Sequence, residues 1–389
     1  VAAGDWVLPD GPLILGLLAA TTGLADGWFP ATGEKPRPLL TWLWAGFWIG
    51  VAALSKYQAA LYCVGLIAFV LSVKERRREL FTPGPYLAAL LTLSMLSPVL
   101  IWNSQHGWAS FAFQGGRGAP HGFTPLSPLT ALAGQMALLT PWLFVPLAAA
   151  GVSAWRGGPA DKRRWFCLML ALPAIALFTL SPLVGPRTLP HWSMPGWLFL
   201  FPLLGRGLSL ARLDGRRWPR TWALASLAVL LVVGAAGVQE AATGWMGAAF
   251  PKLFKKGDPT AESIEWSSLR GALARQGLLD RPGIFVVALK WNEAGKIDAA
   301  LKGAAPVLAF SGDPREFGYR PSPAGFLGRD AVILGRSGTV KGALPGLAPY
   351  FHDLGPVQPL WIGRDGRQEI EVDEVIGHDL LKAWPDPLR

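Results

Sequence analysis

Apolar runs separated by short polar loops fill the chain from Val1 to about Gly244. From Trp245 to Arg389 charged residues recur at the density of a soluble domain. A helix crosses a bilayer core with about 20 apolar residues. Eight runs approach that length, at 12–25, 39–54, 57–73, 86–102, 128–154, 165–184, 192–204 and 221–238. The first is rich in Gly and Ala and is open to a partly re-entrant course. The stretch 39–73 is almost unbroken, and as one helix it would be roughly 50 Å long, far more than a bilayer core. Ser55-Lys56-Tyr57 lies at its middle, where an unpaired lysine is costly. Two short helices that turn at Lys56 remove both difficulties.

The charges support that division. The loops 26–38, 74–85, 156–164 and 205–220 hold about fifteen Lys and Arg, and the opposite loops hold about three, a bias that fixes orientation with basic loops in the cytoplasm. The segments 1–11, 55–57, 103–127 and 185–191 and the whole C-terminal region then lie on the outer side.

In the C-terminal region, β-rich runs at 284–289, 307–310 and 331–334 alternate with helical spacing at 267–276 and 294–301. That order predicts βαβ units. Residues 361–372 carry Arg364-Asp365-Gly366 as a turn and read as a hairpin. The expected architecture is mainly α, a polytopic transmembrane helical bundle over 1–244, followed by an extracytoplasmic soluble α/β domain over 245–389.

Composition adds exclusions. Charged residues make up 16% of the 389 and hydrophobic ones 51%, against about 25% charged in a soluble domain. The net charge of +10 sits in the short loops, so it speaks for membrane orientation and against a nucleic-acid partner. Cys63 and Cys167 lie inside apolar runs, where a free thiol acts as a small hydrophobe. Val1 opens without Met or a charged n-region, unlike a signal peptide, and the chain is expected to start partway through its protein.

The outer loops otherwise avoid charge, yet they hold Asp10, Lys56, Tyr57, Asn103, Gln105, His106, Arg117, His121, Arg187 and His191. Asp10 reads as an N-cap or as a general base. Lys56 reads as a snorkelling interface residue or as a phosphate ligand. Tyr57 reads as an interface anchor or as a donor to the same phosphate. Residues 103–117 form an interfacial amphipathic segment or a loop over a lipid-linked substrate, with Arg117 and His106 on it. Arg187 and His191 form a second such loop. Together, several cations and one carboxylate on one membrane face suit an anionic lipid headgroup.

Three stretches carry a resemblance. Leu8-Pro9-Asp10-Gly11-Pro12-Leu13 resembles the TPDAPL element of bacterial family 39-like glycosyltransferases, and Leu54-Ser55-Lys56-Tyr57 resembles their LSKY turn. Ser97-Pro98-Val99-Leu100-Ile101-Trp102-Asn103, with His106-Gly107-Trp108-Ala109-Ser110-Phe111, resembles their longest such segment. These enzymes have the GT-C fold and are related to protein O-mannosyltransferases and lipid A aminoarabinose transferases. The resemblance implies a multi-pass enzyme of the bacterial inner membrane. It implies transfer of a sugar from a polyprenyl-phosphate donor to a glycan, lipid or protein on the outer face. It places Asp10 in the active-site mouth as the candidate catalytic residue and Lys56 on the donor phosphate. Tyr57, Asn103, His106, Arg117, Arg187 and His191 become candidate substrate-binding residues. The family's acidic motif in the first outer loop has no counterpart here, so an N-terminally truncated chain is expected, one that would lack that carboxylate.

The chemistry implied is attack of an acceptor hydroxyl on the anomeric carbon, with inversion and a lipid phosphate as leaving group. No metal ligand set is legible, although a divalent metal is compatible with the reaction. A lipid-linked-sugar flippase or a non-catalytic membrane scaffold would also be polytopic. Neither accounts for cations gathered beside Asp10.

Overall fold

The computed structural model describes residues 9–30, 37–117, 122–250, 252, 260, 264–364 and 367–385. Two compact units are present, one over Leu8–Ala225 and one over Ser226–Arg389.

The first unit is helical. Helix α1 (Asp10–Trp28) is continuous over 19 residues. Its buried residues Leu13, Gly16, Leu17, Ala20, Leu24 and Trp28 follow steps of three and four, which is one face of a helix. The small residues that made this run look weak are its packing surface. A Cβ on Gly16 would come within 2.6 Å of the Trp48 carbonyl and 2.9 Å of Ala52 Cβ. Trp48 and Ala52 lie on α2 (Pro38–Ser55), which turns at Lys56 into α3 (Ala59–Ser72). The two-helix reading of 39–73 therefore holds.

Helix α4 (Pro83–Gln105) packs on α2 in the same way, since a Cβ on Gly46 would meet Ala88 Cα at 2.6 Å. Close backbone approach of this kind is how helices associate where lipid removes the usual hydrophobic drive. Pro98 lies within α4 and has no N–H for the Ser94 carbonyl. The Ser97 hydroxyl donates to that carbonyl at 2.7 Å instead.

The chain continues through α5 (Ala109–Arg117), α6 (Ser127–Leu139), α7 (Pro141–Gly157), α8 (Lys162–Leu180), α9 (Met194–Leu198), α10 (Phe201–Leu213) and α11 (Trp218–Thr243). Two expected spans are corrected. The run 128–154 is broken between α6 and α7, which meet at 115°. Pro141 keeps the residue before it out of the helical region, and Thr140 sits at φ 68°, ψ 140°. The run 192–204 is also broken. A 3-10 turn over Pro190–Ser193 leads into α9 and then α10, with Pro195 and Pro202 each near a helix start. Among the described residues, four helices are long and apolar enough to cross a bilayer, or five if α6 and α7 form one span. Eight were expected.

In the second unit, α12 (Trp245–Ala249) and α13 (Ser268–Arg275) precede β1 (Phe285–Ala288), α14 (Trp291–Leu301), β2 (Val307–Ala309), β3 (Ala331–Arg336), α15 (Thr339–Leu347), β4 (Phe351–Leu354), β5 (Gln358–Arg364) and β6 (Arg367–Leu380). The sheet order is β2-β1-β3-β6-β4, with β5 also on β6. Strand β1 is parallel to both β2 and β3, as the βαβ reading expects. The β5–β6 hairpin is present, while Asp365 and Gly366 at its turn lie outside the described residues. β1 is buried along its whole length, as suits a strand covered on both faces. Leu269, Leu273, Ile297 and Leu301 from α13 and α14 cover one face, and Val340 and Leu347 of α15 cover the other.

Candidate functional site

The turn between α2 and α3 and the start of α1 build one mouth. Lys56 follows the last residue of α2 in an extended conformation, and its N–H still reaches the Ala52 carbonyl at 2.9 Å. Its own carbonyl accepts from the Ala59 N–H at 3.1 Å and so opens α3. Asp10 is the first residue of α1, and Pro9 occupies the N-cap position. The N-cap reading of Asp10 is therefore corrected: it sits in the first turn. An anion is favoured at a helix start and a cation at a helix end, so the α1 and α2 dipoles suit both charges.

Lys56 Nζ lies 2.8 Å from Asp10 Oδ1, and the Ser55 hydroxyl donates to the Pro9 carbonyl. The two side chains are 22% and 28% exposed.

Tyr57, the next residue, joins a second group. Its hydroxyl lies 2.7 Å from Ser110 Oγ, and its ring stacks on Phe111 at 5.0 Å. The Ser110 hydroxyl and N–H both donate to Asn103 Oδ1, at 2.7 and 3.2 Å. Asn103 Nδ2 donates to the Val99 carbonyl at 2.9 Å. Asn103 is 1% exposed and both ends of its amide are engaged within the protein. These bonds hold the bend between α4 and α5. That bend needs Gly107 and Trp108 at φ 60° and 58°, the second a costly value for a bulky side chain.

His106, Arg187 and His191 do not join this group among the described contacts. His106 Nδ1 lies 2.7 Å from the Trp102 carbonyl, and its ring stacks on Trp102 at 4.3 Å. Arg187 and His191 are exposed on a segment held by the Thr188 hydroxyl, which donates to the Phe178 carbonyl at 2.7 Å. The side chain of Arg117 and all of His121 lie outside the described residues. Ser55, Gln58 and Ser110 were missed, although Ser55 and Ser110 fall inside the motifs quoted above. Gln135 was missed too. It is 1% exposed, donates to Thr179 Oγ1 at 3.0 Å and accepts from Trp197 Nε1 at 2.8 Å. It ties α6, α8 and α9 together, and only a bent α6–α7 would have drawn notice to it.

The opposite end of this unit gathers the basic loops. Arg76 Nη1 meets Glu79 at 3.2 Å, and its Nη2 donates to the Trp28 carbonyl at 2.6 Å. Its guanidinium also lies 5.1 Å over the Trp28 ring. Trp42 Nε1 donates to Glu79 at 3.0 Å. Lys162 pairs with Glu75 at 2.9 Å, and Arg206 with Asp161 at 2.8 Å. The Lys162 ammonium, then the backbone N–H and the Arg76 charge, hold the Glu75 carboxyl below its ordinary value. Among the described residues, no three His, Cys, Asp or Glu side chains converge as for a metal ion.

No curated protein and no solved structure matches the chain. A family model does. Over residues 6–102, a stretch that takes in Asp10, the Lys56 turn and α4 as far as Trp102, the chain is similar to the dolichyl-phosphate-mannose-protein mannosyltransferase family, whose members are glycosyltransferases.

Proposed function

We propose that the chain is the membrane part, with an outer domain, of a GT-C-type glycosyltransferase that moves a sugar from a polyprenyl phosphate to an acceptor hydroxyl. The observation that carries this reading is the Asp10–Lys56 pair at 2.8 Å, part-exposed at one helix mouth and inside the stretch similar to the transferase family.

Lys56 has three N–H donors. One serves Asp10, which leaves two for phosphate oxygens of a donor. As the bond from the anomeric carbon to the phosphate oxygen breaks, negative charge grows on the phosphate, and a fixed ammonium favours that transition state. Asp10 uses Oδ1 on Lys56, so Oδ2 is left to take the proton from the acceptor hydroxyl as it attacks. The products are a glycosylated acceptor and a polyprenyl phosphate. Tyr57 and Ser110 keep the α4–α5 segment against the turn. Basic loops at the far end suit a cytoplasmic position, which supports an outer-face reading of the Asp10–Lys56 end.

Lys56→Ala tests the reading in membranes supplied with a polyprenyl-phosphate sugar. Loss of transfer with the protein still present in the membrane supports it. Unchanged transfer overturns it, and movement of the lipid-linked sugar across the membrane without transfer points to a flippase.

A further inference from the structure

We propose that Ser55 is a positioning residue for the contact between Lys56 and the donor phosphate; this rests on the transferase reading above. Its hydroxyl ties the start of α1 to the end of α2, which keeps Asp10 beside Lys56 and sets the ammonium in place. Successive residues of the turn each reach a different partner. Ser55 donates to the Pro9 carbonyl, Lys56 donates to Asp10 Oδ1 at 2.8 Å, and the Tyr57 hydroxyl lies 2.7 Å from Ser110 Oγ. Neighbours Ser55 and Lys56 thus meet neighbours Pro9 and Asp10, one tie beside the other.

Packing holds α1 further in and gives out at this end. Gly16 lies against α2, where a Cβ would come within 2.6 Å of the Trp48 carbonyl. Towards the mouth, a Cβ on Gly11 would meet nothing within 4 Å, and Pro9, Gly11 and Pro12 are exposed. The N-cap position makes no side-chain cap bond, and the Pro9 carbonyl takes the Leu13 N–H only at 3.3 Å. Helix ends fray. Among the described residues, the bonds that tie this start to the end of α2 come from Ser55 and Lys56.

The two ties differ in stiffness. The Lys56 ammonium ends a flexible four-carbon stem, so its contact with Asp10 alone lets the two backbones drift. The Ser55 hydroxyl stands one carbon from its own backbone, so its bond to a carbonyl fixes backbone to backbone. A helical serine can return its hydroxyl to a carbonyl of its own turn, as Ser72, Ser94 and Ser104 do here. Ser55 instead reaches across 46 residues of sequence. When a donor phosphate draws the ammonium, this tie keeps Asp10 in place beside it. A cation set in position before the ligand arrives binds it more tightly. The Ser55 hydroxyl is itself engaged with protein, so it acts through Lys56 and not by touching the phosphate.

The test is equilibrium binding of undecaprenyl phosphate to the purified full chain, in wild type, Ser55→Ala, Lys56→Ala and the double variant. Ser55→Ala is expected to weaken binding about fivefold, as for loss of one hydrogen bond. In the Lys56→Ala background the same change is expected to cost less than about twofold, because the group it positions is gone. Ser55→Thr, which keeps the hydroxyl, is expected to bind within about twofold of wild type. Ser55→Gly also removes the hydroxyl, at a helix end that suits glycine, and gives the same readout if the alanine variant does not fold. Wild-type affinity in Ser55→Ala overturns the proposal, as does a threonine variant no better than alanine. An equal loss with and without Lys56 also overturns it, since Ser55 would then act independently of the lysine. In each case the transferase reading stands if Lys56→Ala alone weakens binding; if it does not, that reading fails.

Discussion

At one end of the helical unit Arg76, Lys162 and Arg206 each meet a carboxylate, and Arg76 also meets a backbone carbonyl and an indole face. At the other end Lys56 and Asp10 form one pair, about a quarter exposed, at the mouth of a turn. Arg76, held by a carboxylate, a carbonyl and an indole face, is anchoring: it ties its loop to the end of α1. One cation with donors to spare, beside one carboxylate with an oxygen to spare, is a place for a ligand. The number of charges at an end is thus a poor guide to where chemistry occurs.

The largest effect expected is from Asp10→Asn. It removes the proposed proton acceptor and is expected to lower turnover by about 10²–10⁴-fold, read as transfer from a radiolabelled lipid-linked sugar per molecule of folded protein. Lys56→Ala is expected to cost about 10²–10³-fold in turnover, as for loss of one group that favours a developing anion. Ser110→Ala breaks the contact between the Tyr57 hydroxyl and the Asn103 amide. A loss of about threefold to tenfold is expected, chiefly in the KM for donor, because one hydrogen bond contributes about 1 kcal/mol.

The basic end is expected to behave in the opposite sense. Arg76→Ala removes its bonds to Glu79 and Trp28. It is expected to lower the thermal midpoint of the purified chain while leaving turnover per folded molecule within about twofold, since hydrogen bonds to charged groups contribute about 1.5–3 kcal/mol each to stability. A large fall in turnover at an unchanged midpoint would break the contrast between the ends. The smallest effect concerns Glu75. Its carboxyl is held below the ordinary value of 4.5, so what the Lys162 pair adds to stability is present above that value and is lost as pH falls through the lowered one. Carboxyl NMR of Glu75 is expected to show a midpoint below 4.5 that rises towards it in Lys162→Ala.

Much of this was legible in the sequence where one physical constraint dominated. The turn at Lys56 followed from helix length and the cost of a buried charge, and α2 and α3 meet there. The βαβ order of the C-terminal unit followed from alternating runs, and β1 does pair in parallel with β2 and β3. What the sequence hid was set by tertiary context. Hydropathy counts prolines only weakly, so the breaks at Thr140 and near Pro195 were read as continuous spans. Glycines in α1 looked like weakness because their partners on α2 are far off in sequence. Asn103 was read as a ligand from its loop position, yet its amide is spent on Val99 and Ser110. Gln58 gave no signal, since whether its amide oxygen finds a partner is settled only by the tertiary fold.

The most direct test of the account is equilibrium binding of undecaprenyl phosphate to the purified wild-type chain, Lys56→Ala and Arg76→Ala, compared at one salt concentration. The account expects at least a tenfold loss in Lys56→Ala and wild-type affinity in Arg76→Ala. Equal affinity in wild type and Lys56→Ala, or a larger loss from Arg76→Ala, would contradict it.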